Sequence, residues 1–208
     1  MVLEQIEVEL KKRWAYPYQW GRKQNNAWDK QTQFIYSVNT FSQLQERLNE
    51  FKDLFNFLEL QNYAFNRWYN FKSAQAIEYI FCSHSKVNAA ANPKDREKDF
   101  YINNLAFDHK TTVFPKGFSH TLDYTTKRRS ELLKWLYINQ SKQQRFHLKN
   151  RLFLMLHSKS NEHWKLKAEL KWLNILIWDY LDAFDNNQLL KLKHSKGIVV
   201  CDILVCVR

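Results

Sequence analysis

Leu44, Leu48, Phe51, Leu54, Phe55 and Leu58 recur at intervals of three and four, the spacing that lines one side of an α-helix. With Thr40 or Ser42 as a cap, the pattern predicts a core-facing helix running to about Leu60. Trp68, Phe71, Ala74, Ile77, Ile80 and Phe81 repeat the same period and predict a second helix from about Phe65 to Cys82. Val2, Leu3, Ile6 and Leu10 mark a short amphipathic helix over residues 1–13, which Pro17 and Gly21 then interrupt. The period changes in DFYINNLAFDHK, residues 99–110, where two short apolar runs flank Asn103-Asn104. That arrangement predicts a β-hairpin, because asparagine tolerates the left-handed backbone of a tight two-residue turn.

A turn at Asn103-Asn104 sets the register: Ile102 faces Leu105, Phe100 faces Phe107 and Asp99 faces Asp108. Side chains alternate across a strand, so Phe100, Ile102, Leu105, Phe107 and His109 share one face. Asp99, Tyr101, Ala106, Asp108 and Lys110 share the other. The preceding segment, SHSKVNAAANPKDREK, reads as a loop. Downstream, residues 125–145 read as a helix with Leu132, Leu133, Leu136 and Tyr137 on its apolar side, and LFLMLH as a buried strand. Residues 162–184 read as a helix apolar nearly all round, which Lys171, Asn174, Asp179 and Asp182 disqualify as a bilayer span. Leu189 to Lys193 and Gly197 to Val207 read as terminal strands. These elements give an α/β chain of one domain over residues 1–208: a helical N-terminal layer (1–64), a core (65–158) and a C-terminal helix with strands (159–208).

Charge adds a partner to this outline. The formal net charge is +11, and residues 86–151 hold 14 basic against 6 acidic side chains. A field of that sign, concentrated around the hairpin, favours a polyanion such as nucleic acid. Trp14, Tyr16, Tyr18, Trp20 and Trp28, interleaved with Arg22 and Lys23, could stack bases, but they read first as rings that cap a helical core. Lys127, Arg128 and Arg129 open a helix where cations oppose the helix dipole, so contact with phosphates accounts for them better than local stability does. Lys134, Gln140, Lys142, Gln144 and Arg145 continue that polar side as a candidate groove wall. Cys82, Cys201 and Cys206 form no paired framework, and the first residues show no apolar leader core. The expectation is a reducing, cytoplasmic setting with no membrane partner. A homodimer is compatible with the chain, which does not specify its oligomeric state.

Directly opposed like charges destabilise a strand pair, so Asp99 facing Asp108 calls for a cation between them, supplied by a divalent ion or helped by Lys110. Glu78 is the only acid between Ala74 and Cys82 in an apolar helix. If buried, it needs a metal or a base as partner. The bland alternative for Asp99, Asp108 and Lys110 is a salt-bridge cluster on an exposed hairpin face.

A helix with Glu78, a strand with Asp99, a strand with Asp108-His109-Lys110, a helix and a strand form an order that resembles the PD-(D/E)XK nuclease superfamily. The resemblance spans roughly residues 65–158; Lys98 rather than Pro precedes Asp99, and the acid before x-Lys is Asp rather than the commoner Glu. It implies a restriction-endonuclease-like mixed central sheet flanked by helices, and Mg²⁺-dependent (or Mn²⁺-dependent) endonucleolytic hydrolysis of phosphodiester bonds, usually in DNA. By position it makes Asp99 and Asp108 the metal-binding acids, Lys110 the motif lysine and Glu78 the helix acid, with the His109 carbonyl as a further metal ligand. The alternative function is a catalytically silent nucleic-acid-binding module. A third is an interaction protein that uses exposed aromatics.

Overall fold

The computed structural model describes residues 2–19, 26–92, 97–139, 149–194 and 197–208. The chain divides into two compact units, Met1–Ile77 with Lys167–Lys171, and Glu78–Leu166 with Trp172–Arg208.

The first unit is helical. α1 (Leu3–Lys12) buries only Leu10 and runs into a 3₁₀ turn, Arg13–Ala15. α2 (Asn26–Gln31) is short, and α3 (Phe41–Asn49) begins at Thr40 with a full capping box, in which Thr40 Oγ1 accepts from Gln43 N–H and Gln43 reaches back to the cap. The expected long helix to Leu60 is cut at Asn49. Successive three-residue turns follow, with Phe51 N–H on Leu48 O and Leu54 N–H on Phe51 O, and leave Leu54 and Phe55 exposed, as is Leu58 at the start of the next helix. α4 (Phe57–Cys82) then runs unbroken for 26 residues. Of the N-terminal aromatics, Trp28 is buried edge-on to Tyr63, and Tyr16 packs on Phe41 and Phe65. Trp20, Arg22 and Lys23 lie outside the described residues.

The second unit is built on a six-stranded mixed sheet in the order β1-β2-β3-β4-β6-β5. β1 (Val87–Ala89), inside the segment expected to be a loop, pairs antiparallel with β2 (Phe100–Ile102), which pairs antiparallel with β3 (Leu105–Val113). The chain crosses through α5 (Leu122–Lys127) and α6 (Arg129–Asn139) to β4 (Arg151–His157), parallel to β3. The expected single helix over 125–145 is therefore two, parted at Arg128, whose φ of −133° and ψ of 53° are not helical. α7 (Leu170–Asp182) follows a 3₁₀ segment, His163–Ala168, and β5 (Leu190–His194) forms an antiparallel pair with β6 (Gly197–Val207), which lies parallel to β4.

The central strands explain the apolar runs. A parallel strand covered on both faces reads as continuous hydrophobic sequence rather than alternation, and every residue from Leu152 to Leu156 is fully buried. On one face Phe153, Met155, Cys201 and Ile203 pack with Leu132, Leu133 and Leu136 of α6. Among the described residues no helix is long and apolar enough to cross a membrane. The three cysteines are free thiols.

Candidate functional site

The hairpin forms as its sequence requires. Asn103 and Asn104 have φ of 46° and 66°, the two left-handed positions of a tight turn, and Phe100 pairs with Phe107 and Ile102 with Leu105. Phe100, Ile102 and Phe107 are fully buried. The β2–β3 ladder ends at the Phe100–Phe107 rung, one residue short of the Asp99–Asp108 pairing that the register extrapolates to.

What Asp99 does follows from that early end. Its N–H donates to Phe107 O (2.9 Å), and its Oδ2 accepts from His109 N–H at 2.6 Å. β4 takes the other edge of β3, starting with Asp108 N–H on Asn150 O. The Asp99 carboxylate thus replaces the strand partner that β2 no longer supplies to His109.

Glu78 and Cys82, one helical turn apart on α4, belong to the same electrostatic neighbourhood. Burial pushes the half-buried Glu78 carboxyl up, and the charge of Asp99 pushes it further the same way. The Cys82 thiol is pushed up to about 11 by burial, then by Glu78 and Asp99. Glu78 has no hydrogen-bond or ion-pair partner among the described residues. The His109 ring is turned into the apolar side against Phe81 (5.2 Å) and Phe100 (6.2 Å), where burial pushes it down to about 4. Its Nε2 lies 3.2 Å from Thr111 Oγ1, and its backbone N–H is taken by Asp99.

Asp108 and Lys110 share a face, as strand alternation requires, together with a residue that the sequence reading did not single out. Arg151, the ladder partner of Asp108, donates from Nε to Asp108 Oδ2 at 2.9 Å. Its side chain is only 7% exposed, and its guanidinium lies 5.7 Å from the centre of the Tyr137 ring. Tyr137 in turn donates its hydroxyl to Lys149 O at 2.8 Å. Burial pushes the Lys110 amine down and Arg151 adds to that, while Asp108 opposes it.

Asp99 is therefore grouped with Glu78 and Cys82 of α4, and Asp108 and Lys110 of β3 with Arg151 of β4. No group of three or more His, Cys, Asp or Glu side chains among the described residues converges as a metal cage. Mg²⁺ needs less, since it keeps several waters and is usually held by one or two carboxylates with substrate phosphates. The donor set of Asp99, Asp108, Glu78 and the His109 carbonyl is all hard oxygen, and the unpartnered Glu78 beside Asp99 leaves negative charge that a cation would neutralise. The oxygen donors are of the type that ion takes, but Asp108 is held by Arg151 and not brought together with Asp99 and Glu78.

The basic residues are dispersed in role. Lys127 and Lys134 are exposed, and Arg128, also exposed, pairs with Glu131 (3.1 Å) and lies over the Tyr124 ring. Arg129 is committed inward, donating from Nη2 to Asp202 Oδ1 (2.5 Å) and Ile203 O (2.7 Å). Gln140, Lys142, Gln144 and Arg145 lie outside the described residues. Asp202 also accepts from the Tyr180 hydroxyl (2.9 Å) and from Ile203 N–H (2.8 Å), so three elements meet on one buried carboxylate. A lone acid inside VVCDILVCV is the signal that could have found it. Comparison of the chain with protein-family models, with curated proteins and with solved structures gave no match.

Proposed function

We propose that the second unit is the core of a metal-dependent nuclease that hydrolyses phosphodiester bonds, with DNA as the substrate and a restriction-endonuclease-like sheet as its frame. The observation that carries this reading is the half-buried Glu78, without a partner among the described residues and set against Asp99, whose carboxylate meets the backbone of His109. A carboxylate whose ionisation is opposed by burial and then by a neighbouring carboxylate is stabilised by a cation beside it. The chain order agrees: a helix carrying Glu78, three antiparallel strands with Asp99 just before the second and Asp108-x-Lys110 on the third, a helical crossover, and a strand parallel to the third.

In this reading Asp99, Asp108 and the carbonyl of His109 would hold Mg²⁺ or Mn²⁺, with Glu78 in support. The ion supplies a bound water of lowered pKa and offsets charge on the phosphoryl oxygens. Lys110 would orient the attacking water or take up its proton. The basic excess of residues 86–151 draws the polyanion in, and Lys127, Arg128 and Lys134 stand exposed to meet it. A reducing, cytoplasmic setting belongs to the same reading.

Asp108→Ala and Lys110→Ala should abolish Mg²⁺-dependent cleavage of plasmid or linear DNA and leave DNA binding largely intact; cleavage by both variants at the wild-type rate would refute the reading. One observation favours a second possibility, a catalytically silent nucleic-acid-binding module: Asp108 already has an internal cation, Arg151. That module would bind DNA with steep salt dependence and give no products under any divalent metal.

A further inference from the structure

We propose that the helical first unit carries a binding site for a small aromatic carboxylate or sulfonate, in the cavity between α1 and α4. The inference stands apart from the nuclease reading, because every residue it uses lies within Met1–Ile77.

The cavity has a volume of about 500 Å³, inside the range of roughly 300–1,000 Å³ usual for small-molecule pockets. Three stretches of chain enclose it. Trp68, Lys72 and Gln75 of α4 stand four and three residues apart, so one side of that helix faces the space. Val2, at the start of α1, and Ile6 form an apolar wall opposite, with Gln5 and Glu9 beside them. Tyr36, which ends a 3₁₀ turn, and Asn39 complete the lining. The two rings are fixed before any ligand arrives: the indole N–H of buried Trp68 donates to Val38 O at 3.2 Å, and the Tyr36 hydroxyl accepts from Arg67 Nη2 at 2.9 Å. A site ordered in advance loses less entropy on binding.

The charges around the cavity single out one cation. Glu9 is answered twice, by Lys12 at 2.5 Å and by Phe41 N–H at 2.8 Å. Lys72 is not answered by a carboxylate. Its amine donates to Asn39 Oδ1 at 3.0 Å and makes no ion pair among the described residues, and burial alone pushes it down. An ammonium has three N–H groups, so two remain to donate to a ligand. The amides of Gln5 and Gln75 border the same space and have no hydrogen-bond partner among the described residues. One cation without a counter-charge matches one negative charge, which a carboxylate or sulfonate carries and a phosphate dianion exceeds. Tyr36 and Trp68, with Val2 and Ile6, receive a flat apolar body.

The test titrates the full-length protein with naphthoate and with naphthamide, its uncharged analogue of similar shape, in ¹⁵N-correlated NMR spectra. Naphthoate should move the Trp68 indole N–H and the side-chain amides of Gln5 and Gln75, and should bind about tenfold more tightly than naphthamide, equivalent to about 1.4 kcal/mol. Lys72→Met should weaken naphthoate about tenfold and leave naphthamide unchanged. Gln75→Trp, which fills the cavity from an exposed position, should abolish binding of both. Equal affinity for the two probes in the wild type would overturn the inference, and that comparison needs no variant to fold. Unchanged naphthoate affinity in folded Lys72→Met or Gln75→Trp would overturn it as well. So would resonance changes confined to Phe55 and Leu58, the exposed apolar side chains elsewhere on this unit, or no change at millimolar naphthoate.

Discussion

Replacing Asp99 separates its structural role from its chemical one. Asp99→Ala deletes the acceptor of the 2.6 Å bond from His109 N–H and leaves that donor at the point where β2 has ended. A hydrogen bond to a charged partner contributes about 1.5–3 kcal/mol. Some of the loss is returned: burial and then Asp99 push the Glu78 carboxyl up, so its ionised form opposes folding at neutral pH, and removing Asp99 relieves the smaller part of that opposition. A net loss of about 1–2 kcal/mol follows, which at about 2–4 °C per kcal/mol for a chain of this size lowers Tm by roughly 2–8 °C. Asp99→Asn keeps a carbonyl oxygen for His109 N–H and relieves Glu78 equally, so it should melt within about 3 °C of the wild type. Both variants should lose Mg²⁺-dependent cleavage by more than the ~10–100-fold typical of outer-sphere partners. Melting curves by circular dichroism and a plasmid-nicking assay read the two effects. If Asp99→Ala and Asp99→Asn melt together, Asp99 does not cap the β3 edge; if Asp99→Asn cleaves like the wild type, it is not a ligand.

Three further outcomes follow from the same structure. The Cys82 thiol, pushed up to about 11, should alkylate slowly at pH 8 and accelerate towards pH 11, and Glu78→Gln should speed the reaction at pH 8, as mass spectrometry of iodoacetamide adducts would show; rapid labelling at pH 7.5 contradicts this. The Lys167 amine donates to Asn70 Oδ1 at 2.7 Å and is pushed down to about 8 by burial. The unfolded chain therefore binds more protons between about pH 8 and 10.5, and stability should rise with pH through that window; Lys167→Met should be stabilising at pH 7 by roughly 1–3 kcal/mol and lose that advantage by pH 10.5, and a destabilised variant at pH 7 would count against it. Asn104→Ala, at φ 66°, should cost about 1 kcal/mol in denaturant unfolding while Asn104→Gly stays near the wild type; equal losses would contradict a left-handed turn.

The sequence was most legible where structure is local. The hairpin register followed from Asn103-Asn104, because a two-residue turn leaves the strands a single pairing, and β6 followed from a run of β-branched and apolar residues. Helix ends and one short strand escaped it, among them the break at Arg128 between α5 and α6. The helix expected to reach Leu60 ends at Asn49, although the apolar period continues through Phe51, Leu54 and Phe55, so periodicity alone could not mark the stop. β1 is three residues inside a polar stretch, paired only through the later β2, and nothing in VNA announces it. The site divides the same way. Asp99, Asp108 and Lys110 were found by spacing within one hairpin, but Arg151 reaches Asp108 only through the parallel β3–β4 pairing, and that partnership across 43 positions is a property of the fold. Asp99 moved for a related reason: alternation extrapolates a ladder indefinitely, whereas the real one stops at Phe100.

The brevity of β2 has a consequence for solubility. Beyond the Phe100–Phe107 rung, β3 pairs only with β4, and no described strand covers its other edge from His109 to Val113. An uncovered edge is a template on which a strand from another molecule can grow. The chain guards this one with a carboxylate seated on its first open N–H and with charged Asp108 and Lys110 nearby, residues that discourage a second strand from docking. The acids proposed to bind metal thus also serve as gatekeepers against self-association, and their neutralisation should favour aggregation in a protein otherwise kept apart by its +11 charge.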